Sequence, residues 1–175
     1  MNVLFAVYIQ LWVLSFEKTG IIGSKEEADA VYRNLVILAV GSTVVCLPLA
    51  GHVCDKVDLR YLIPFTFLAR GIIAVSFRFL EDPSVWQSYF LCTAIVLASI
   101  LLQISVEVLF MRNLKKSVRG ALTGIAFFFG AIGTTTFSYV GGVLFDKVAP
   151  WAPFMVVAGA DFAIIVFLIV FLLVL

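Results

Sequence analysis

The residues able to do chemistry in this chain lie within apolar runs, where every polar group needs a physical reason to be there. Arg70 stands near the centre of a run at 61–80, and Asp161 near the centre of another at 151–175. A charge at mid-bilayer costs about 2.5–3.5 kcal/mol on insertion scales, so each needs a partner or water. Opposite signs at matching depth predict that the two pair, as a structural salt bridge or as a proton relay. Ser99, Gln103 and Glu107 recur at i, i+4 and i+8, which puts them on one face of a helix. Their hydroxyl, amide and carboxylate could hold a polar solute. Glu107 lies roughly 12 Å from its helix centre, close enough to the interface to pair with Arg112 or the basic loop that follows. In the first run, Tyr8 and Trp12 share a face while Gln10 points elsewhere.

Other chemistries lack their residues. His52 is the sole histidine and has no metal-ligand neighbours in the sequence. Cys46, Cys54 and Cys92 are odd in number, without metal-ligand spacing, and read as reduced packing residues. No Gly-rich loop ends in Lys-Ser/Thr to cradle phosphate. No Ser/His, paired-Asp or His/Glu set lies at a common depth, so neither an enzyme nor a cofactor is expected. Without a basic patch interleaved with aromatics, nucleic acid is not an expected partner.

The elements that must position these groups follow from composition. Of 175 residues 63% are apolar and 13% charged, with net charge +1, and the mean hydropathy is +1.13. A soluble domain carries about 25% charged residues, so the solvent here is the lipid bilayer. A spanning helix needs about 20 apolar residues for a core about 30 Å thick. The runs predict an all-α polytopic membrane protein whose single domain, 1–175, has six transmembrane helices at about 1–23, 34–54, 61–80, 86–111, 120–145 and 151–175. The first run has no basic leader, and Phe16-Glu17-Lys18 is a poor cleavage site, which favours a membrane helix over a signal peptide. Its 16 residues before Glu17 must tilt or draw in Thr19 to Gly23, and the polar stretch from Glu17 to Arg33 reads as a connector. Apolar ends on both sides suggest a piece of a longer chain. The loops holding Lys56, Arg60, Arg112, Lys115, Lys116 and Arg119 are assigned to the cytoplasm, which puts both termini there too.

The second run ends Gly51-His-Val-Cys-Asp55-Lys56-Val-Asp58-Leu59-Arg60. This resembles the loop motif of the major facilitator superfamily: Gly, three residues, Asp and a basic residue, then Gly and further basic residues. Gly51, Asp55, Lys56 and Arg60 match; Asp58 stands where the family prefers Gly, and Leu59 where it prefers a basic residue. Gly51 would let two helix ends approach closely, and Asp55 would accept from N–H groups at a neighbouring helix start. Gly142, Asp146 and Lys147 repeat the spacing 91 residues later, as two three-helix repeats of opposite topology would.

The resemblance implies one six-helix half, the C-terminal one, of a transporter. Its first and fourth helices would line a cavity, making Tyr8, Trp12, Ser99, Gln103 and Glu107 substrate-facing, with the third and sixth helices outside it. It implies secondary active transport of a small solute by alternating access, with a coupling proton as one option. A second six-helix half or an identical copy would complete the cavity. The alternative is a non-transporting membrane subunit or scaffold, or an inactive fragment, retaining the fold. In the fifth helix Gly120, Gly124 and Gly142, with Ala131, Thr135 and Ser138, form a small-residue stripe, suited to packing within the chain or to sliding against a partner.

Overall fold

The computed structural model describes residues 2–115 and 118–174, with side chains for 7–17, 19–115 and 118–170; Lys116 of the basic loop lies outside them. All the secondary structure described is helical: α1 (Asn2–Lys18), α2 (Lys25–Lys56), α3 (Leu59–Ser76) continued by a 3₁₀ turn (Phe77–Phe79), α4 (Trp86–Asn113), α5 (Arg119–Lys147) and α6 (Ala152–Val174).

Two boundaries differ from those the sequence suggests, both for local reasons. α1 stops at Lys18 because the chain turns at Gly20, whose φ of 78° suits a residue without Cβ. Gly20 N donates to Glu17 O and Ile21 N to Phe16 O, each at 3.1 Å, so Thr19 to Gly23 never join the helix. The connector from Glu17 to Arg33 is mostly helix. Ser24 caps α2, its hydroxyl accepting from Glu27 N at 3.2 Å, while the Glu27 carboxylate accepts from Gly23 N at 3.1 Å. This reciprocal arrangement is close to a capping box and starts α2 nine residues earlier than its apolar run. At 32 residues α2 is about 48 Å long, so its charged first turns extend well beyond the hydrocarbon.

Five helices, α2 to α6, are long and apolar enough to cross a membrane. α1, at 17 residues, is about 25 Å long, short of the roughly 30 Å core. The outer faces are apolar: Val45 is 70% exposed and Leu49 61%. Water would penalise such a surface and lipid does not. The chain is a helical integral membrane protein.

α2 packs on α1 and α4, α4 on α3, α3 on α6, and α6 on α5. The buried apolar residues form two clusters. One gathers Trp12, Leu35, Ala74, Phe77, Ile95 and Phe154; the other gathers Cys54, Leu59, Leu62, Ile63 and Leu102. Between them along α3, α4 and α6 come the buried polar residues Thr66, Arg70, Ser99 and Asp161. The core is therefore interrupted at mid-depth by a polar layer.

Candidate functional site

The hydroxyls of the polar layer are satisfied locally. Thr66 Oγ1 donates to Leu62 O and Ser99 Oγ to Ile95 O, both at 2.7 Å, each within its own helix. The charges must reach across helices. Arg70 Nε donates to Asp161 Oδ2 at 2.8 Å, and its Nη2 to Asp161 Oδ1, giving a two-point pair between α3 and α6. Arg70 is 3% exposed and Asp161 0%. The Arg70 guanidinium also lies over the Phe67 ring, 5.5 Å from its centroid, while its buried Nη1 makes no hydrogen bond among the described residues. The close approach of α3 and α6 here depends on Gly71: a Cβ there would stand 3.1 Å from Phe162 Cε1 and 3.5 Å from Asp161 Cβ.

The pair borders a cavity of about 640 Å³, within the range of small-molecule sites. Tyr8, Ser99, Gln103 and Glu107 line it, as do Arg70 and Asp161. The family resemblance implies a third and sixth helix outside the cavity; here α3 and α6 both reach it, because their crossing is closed by Gly71 and leaves the charge pair at the cavity wall. Trp12 does not line it. That ring is 1% exposed in the apolar core, edge-on to Phe16 and Phe77 at 5.2 and 5.5 Å. Tyr8, one turn earlier, belongs to the same core cluster and also reaches the cavity. Its hydroxyl donates to Ser138 O on α5 at 2.9 Å, and its ring meets Phe137 edge-on at 6.4 Å.

Gln103 and Glu107 are exposed on α4 and bonded to each other, Gln103 Nε2 donating to Glu107 Oε1 at 3.1 Å. Glu107 does not take Arg112, which reaches across instead to Asp55 at 3.2 Å and to Cys54 O at 3.4 Å. Asp55 therefore holds a cation, and the helix start beside it is capped by Asp58, whose Oδ1 accepts from Arg60 N at 2.9 Å. Asp58, one of the two residues that depart from the loop motif, is thus the one that caps α3. Lys56 and Arg60 are exposed, and Gly51 has open space where a Cβ would stand.

The glycines of the small-residue stripe of α5 are open, whereas Ser138 meets Tyr8 through its carbonyl. Among the described residues, a Cβ at Gly120, Gly124 or Gly142 would meet nothing within 4 Å. The close contact falls one residue from the stripe, at Gly141, where a Cβ would meet the Tyr8 hydroxyl and come within 2.8 Å of Tyr8 Cζ. The rest of α5 contributes cavity wall that residue types alone did not single out: Phe127, Gly130, Gly133, Thr134 and Phe137. The signal was available, since α5 carries both aromatic and small residues with no sustained polar face, but periodicity does not say which side meets a cavity.

No group of three or more His, Cys, Asp or Glu able to hold a metal occurs among the described residues. Fold and cavity together define the class, a helical membrane protein with a mid-depth polar layer opening on a largely apolar cavity. Compared with known protein families, curated proteins and solved structures, the chain matches none.

Proposed function

We propose that this chain is one half of a major-facilitator-type secondary transporter, its six helices forming two inverted three-helix repeats. The observation that carries the reading is the cavity at mid-depth, where Tyr8 of α1 and Ser99, Gln103 and Glu107 of α4 meet a buried charge pair. Midplane binding between helix triplets is the arrangement of such transporters. The helix ends support it as well. α2 ends on Lys56 of Gly51-Asp55-Lys56, and α5 ends on Lys147 of Gly142-Asp146-Lys147. The exposed face of α5, with its unpacked glycines, suits a partner half or a second copy rocking against it. A solute would bind against α1 and α4 and be exposed to each side in turn.

The test is access. A single cysteine at Gln103, in a chain whose Cys46, Cys54 and Cys92 are replaced by Ala, is expected to react with a membrane-impermeant maleimide from both faces of the membrane. Labelling from one face only would sink alternating access and favour a non-transporting subunit built on the same fold.

A further inference from the structure

We infer that the cavity takes a lipophilic organic cation, a bulky apolar body carrying one positive charge. This rests on the reading of the cavity as the solute site. Three charged side chains line it: Arg70, Asp161 and Glu107. Arg70 and Asp161 neutralise each other through two hydrogen bonds and are almost fully buried, so neither offers its charge to a ligand. Glu107 is left. Among the described residues its one bond is from a neutral amide, Gln103 Nε2, and the two arginines that follow it in the chain, Arg112 and Arg119, are engaged elsewhere. Arg112 is held by Asp55 and Cys54 O, and Arg119 by Met111 O at 2.9 Å, where it satisfies the C-terminal end of α4. Among the described residues that line the cavity, Glu107 therefore carries the one charge without an opposite partner, on a largely apolar wall.

That wall is aromatic. Phe127 is exposed and Phe137 half-buried, and both line the same cavity as Glu107. Aromatic faces attract cations through their quadrupole, most strongly where water is excluded, and they give an apolar body large contact area. An anion would meet Glu107 repulsively, and the one buried cation that could oppose it is already paired with Asp161. A sugar-like solute would need many hydrogen-bond partners, and this wall offers few beyond Gln103, Thr134 and Tyr8, the last already donating to Ser138 O.

The experiment uses the full chain in nanodiscs of zwitterionic lipid, with radiolabelled tetraphenylphosphonium as cation and tetraphenylborate as an anion of matching size and shape. Saturable binding of the cation is expected, weakened more than about tenfold by Glu107→Gln and less by Glu107→Asp, which keeps the charge. Tetraphenylborate is expected to bind the wild type more weakly than the cation and to gain in Glu107→Gln. Glu107 is exposed, so its substitution leaves the core intact, and the Asp variant reports on folding in the same assay. Equal cation binding in wild type and Glu107→Gln, a wild-type preference for the borate, or no saturable binding of either would overturn the inference. Cation binding with labelling of Gln103→Cys from one face only would instead sink the transport reading and leave the ligand class standing.

Discussion

Arg70 and Asp161 are 91 residues apart in the chain and joined by two hydrogen bonds in space. The same offset carries Gly51, Asp55 and Lys56 onto Gly142, Asp146 and Lys147, and Gly71 onto Phe162, the residue against which it packs. On the two-repeat reading, α3 and α6 cross at related positions, and each position has specialised oppositely: cation against anion, missing side chain against ring. A crossing point is where a pair of related helices can approach closely enough for this, since Gly71 removes the side chain that would hold them apart.

Neutralising one member of that pair leaves the other charge buried and alone. Asp161→Asn or Arg70→Gln is expected to destabilise the protein by about 3–5 kcal/mol, whereas the double replacement Arg70→Met with Asp161→Leu should recover most of that loss. Thermal midpoints of the purified proteins in one detergent measure this. Single variants as stable as wild type would mean that the pair is not formed in the folded protein.

Glycine substitutions separate the contacts that hold helices together from those that are open. Gly141→Ala would drive a methyl group into the Tyr8 hydroxyl, and overpacking of this kind costs about 1–3 kcal/mol. Gly142→Ala, one residue on, meets nothing within 4 Å and is expected to leave the chain's own stability unchanged or slightly raised, because Ala favours helix over Gly. Melting curves of the two variants side by side decide it; equal losses would place the helix contact elsewhere on α5.

Apolar length made the helices legible in the sequence, and helix spacing made the α4 face legible: Ser99, Gln103 and Glu107 all line the cavity. The depth match between Arg70 and Asp161 rests on the same counting. What spacing could not give was direction. Tyr8 and Trp12 share a stripe and one core cluster, yet of the two it is Tyr8 that also lines the cavity, while the Trp12 ring is enclosed by Phe16 and Phe77. Charged stretches also misled at helix ends. Lys25 to Asp29 look like a loop in a hydropathy reading, but the Ser24 cap makes them the first turns of α2. The role of Asp58 was hidden because a motif comparison treats it as a mismatch, while in the structure it supplies the cap of α3.

At the α2–α3 turn the two aspartates are expected to behave differently. Asp55 and Arg112 are 76% and 50% exposed, so water and salt screen their attraction, and Asp55→Asn should change stability by no more than about 0.5 kcal/mol. Asp58→Ala removes a helix cap and should cost about 1 kcal/mol, with Asp58→Ser restoring most of it. Denaturant titrations of these variants would show the order; a larger loss at Asp55 than at Asp58 would reverse the assignment of which carboxylate starts α3.

Trp12 offers the sharpest separation of core from cavity. Its ring is 1% exposed and packed edge-on against Phe16 and Phe77, with Phe77 stacked in turn on Phe154 at 4.3 Å. Truncation to Ala opens a void that this aromatic cluster cannot close, at a cost of about 3–5 kcal/mol. Trp12→Phe keeps an aromatic ring and should lose far less. Neither change touches the cavity, so in protein that remains folded at low temperature the affinity for tetraphenylphosphonium should stay at the wild-type value. Gln103→Ala, on the cavity face, is expected to do the opposite, leaving the melting temperature in place and shifting the affinity. A Trp12→Phe protein with wild-type stability and weakened binding would move Trp12 from the core to the cavity wall.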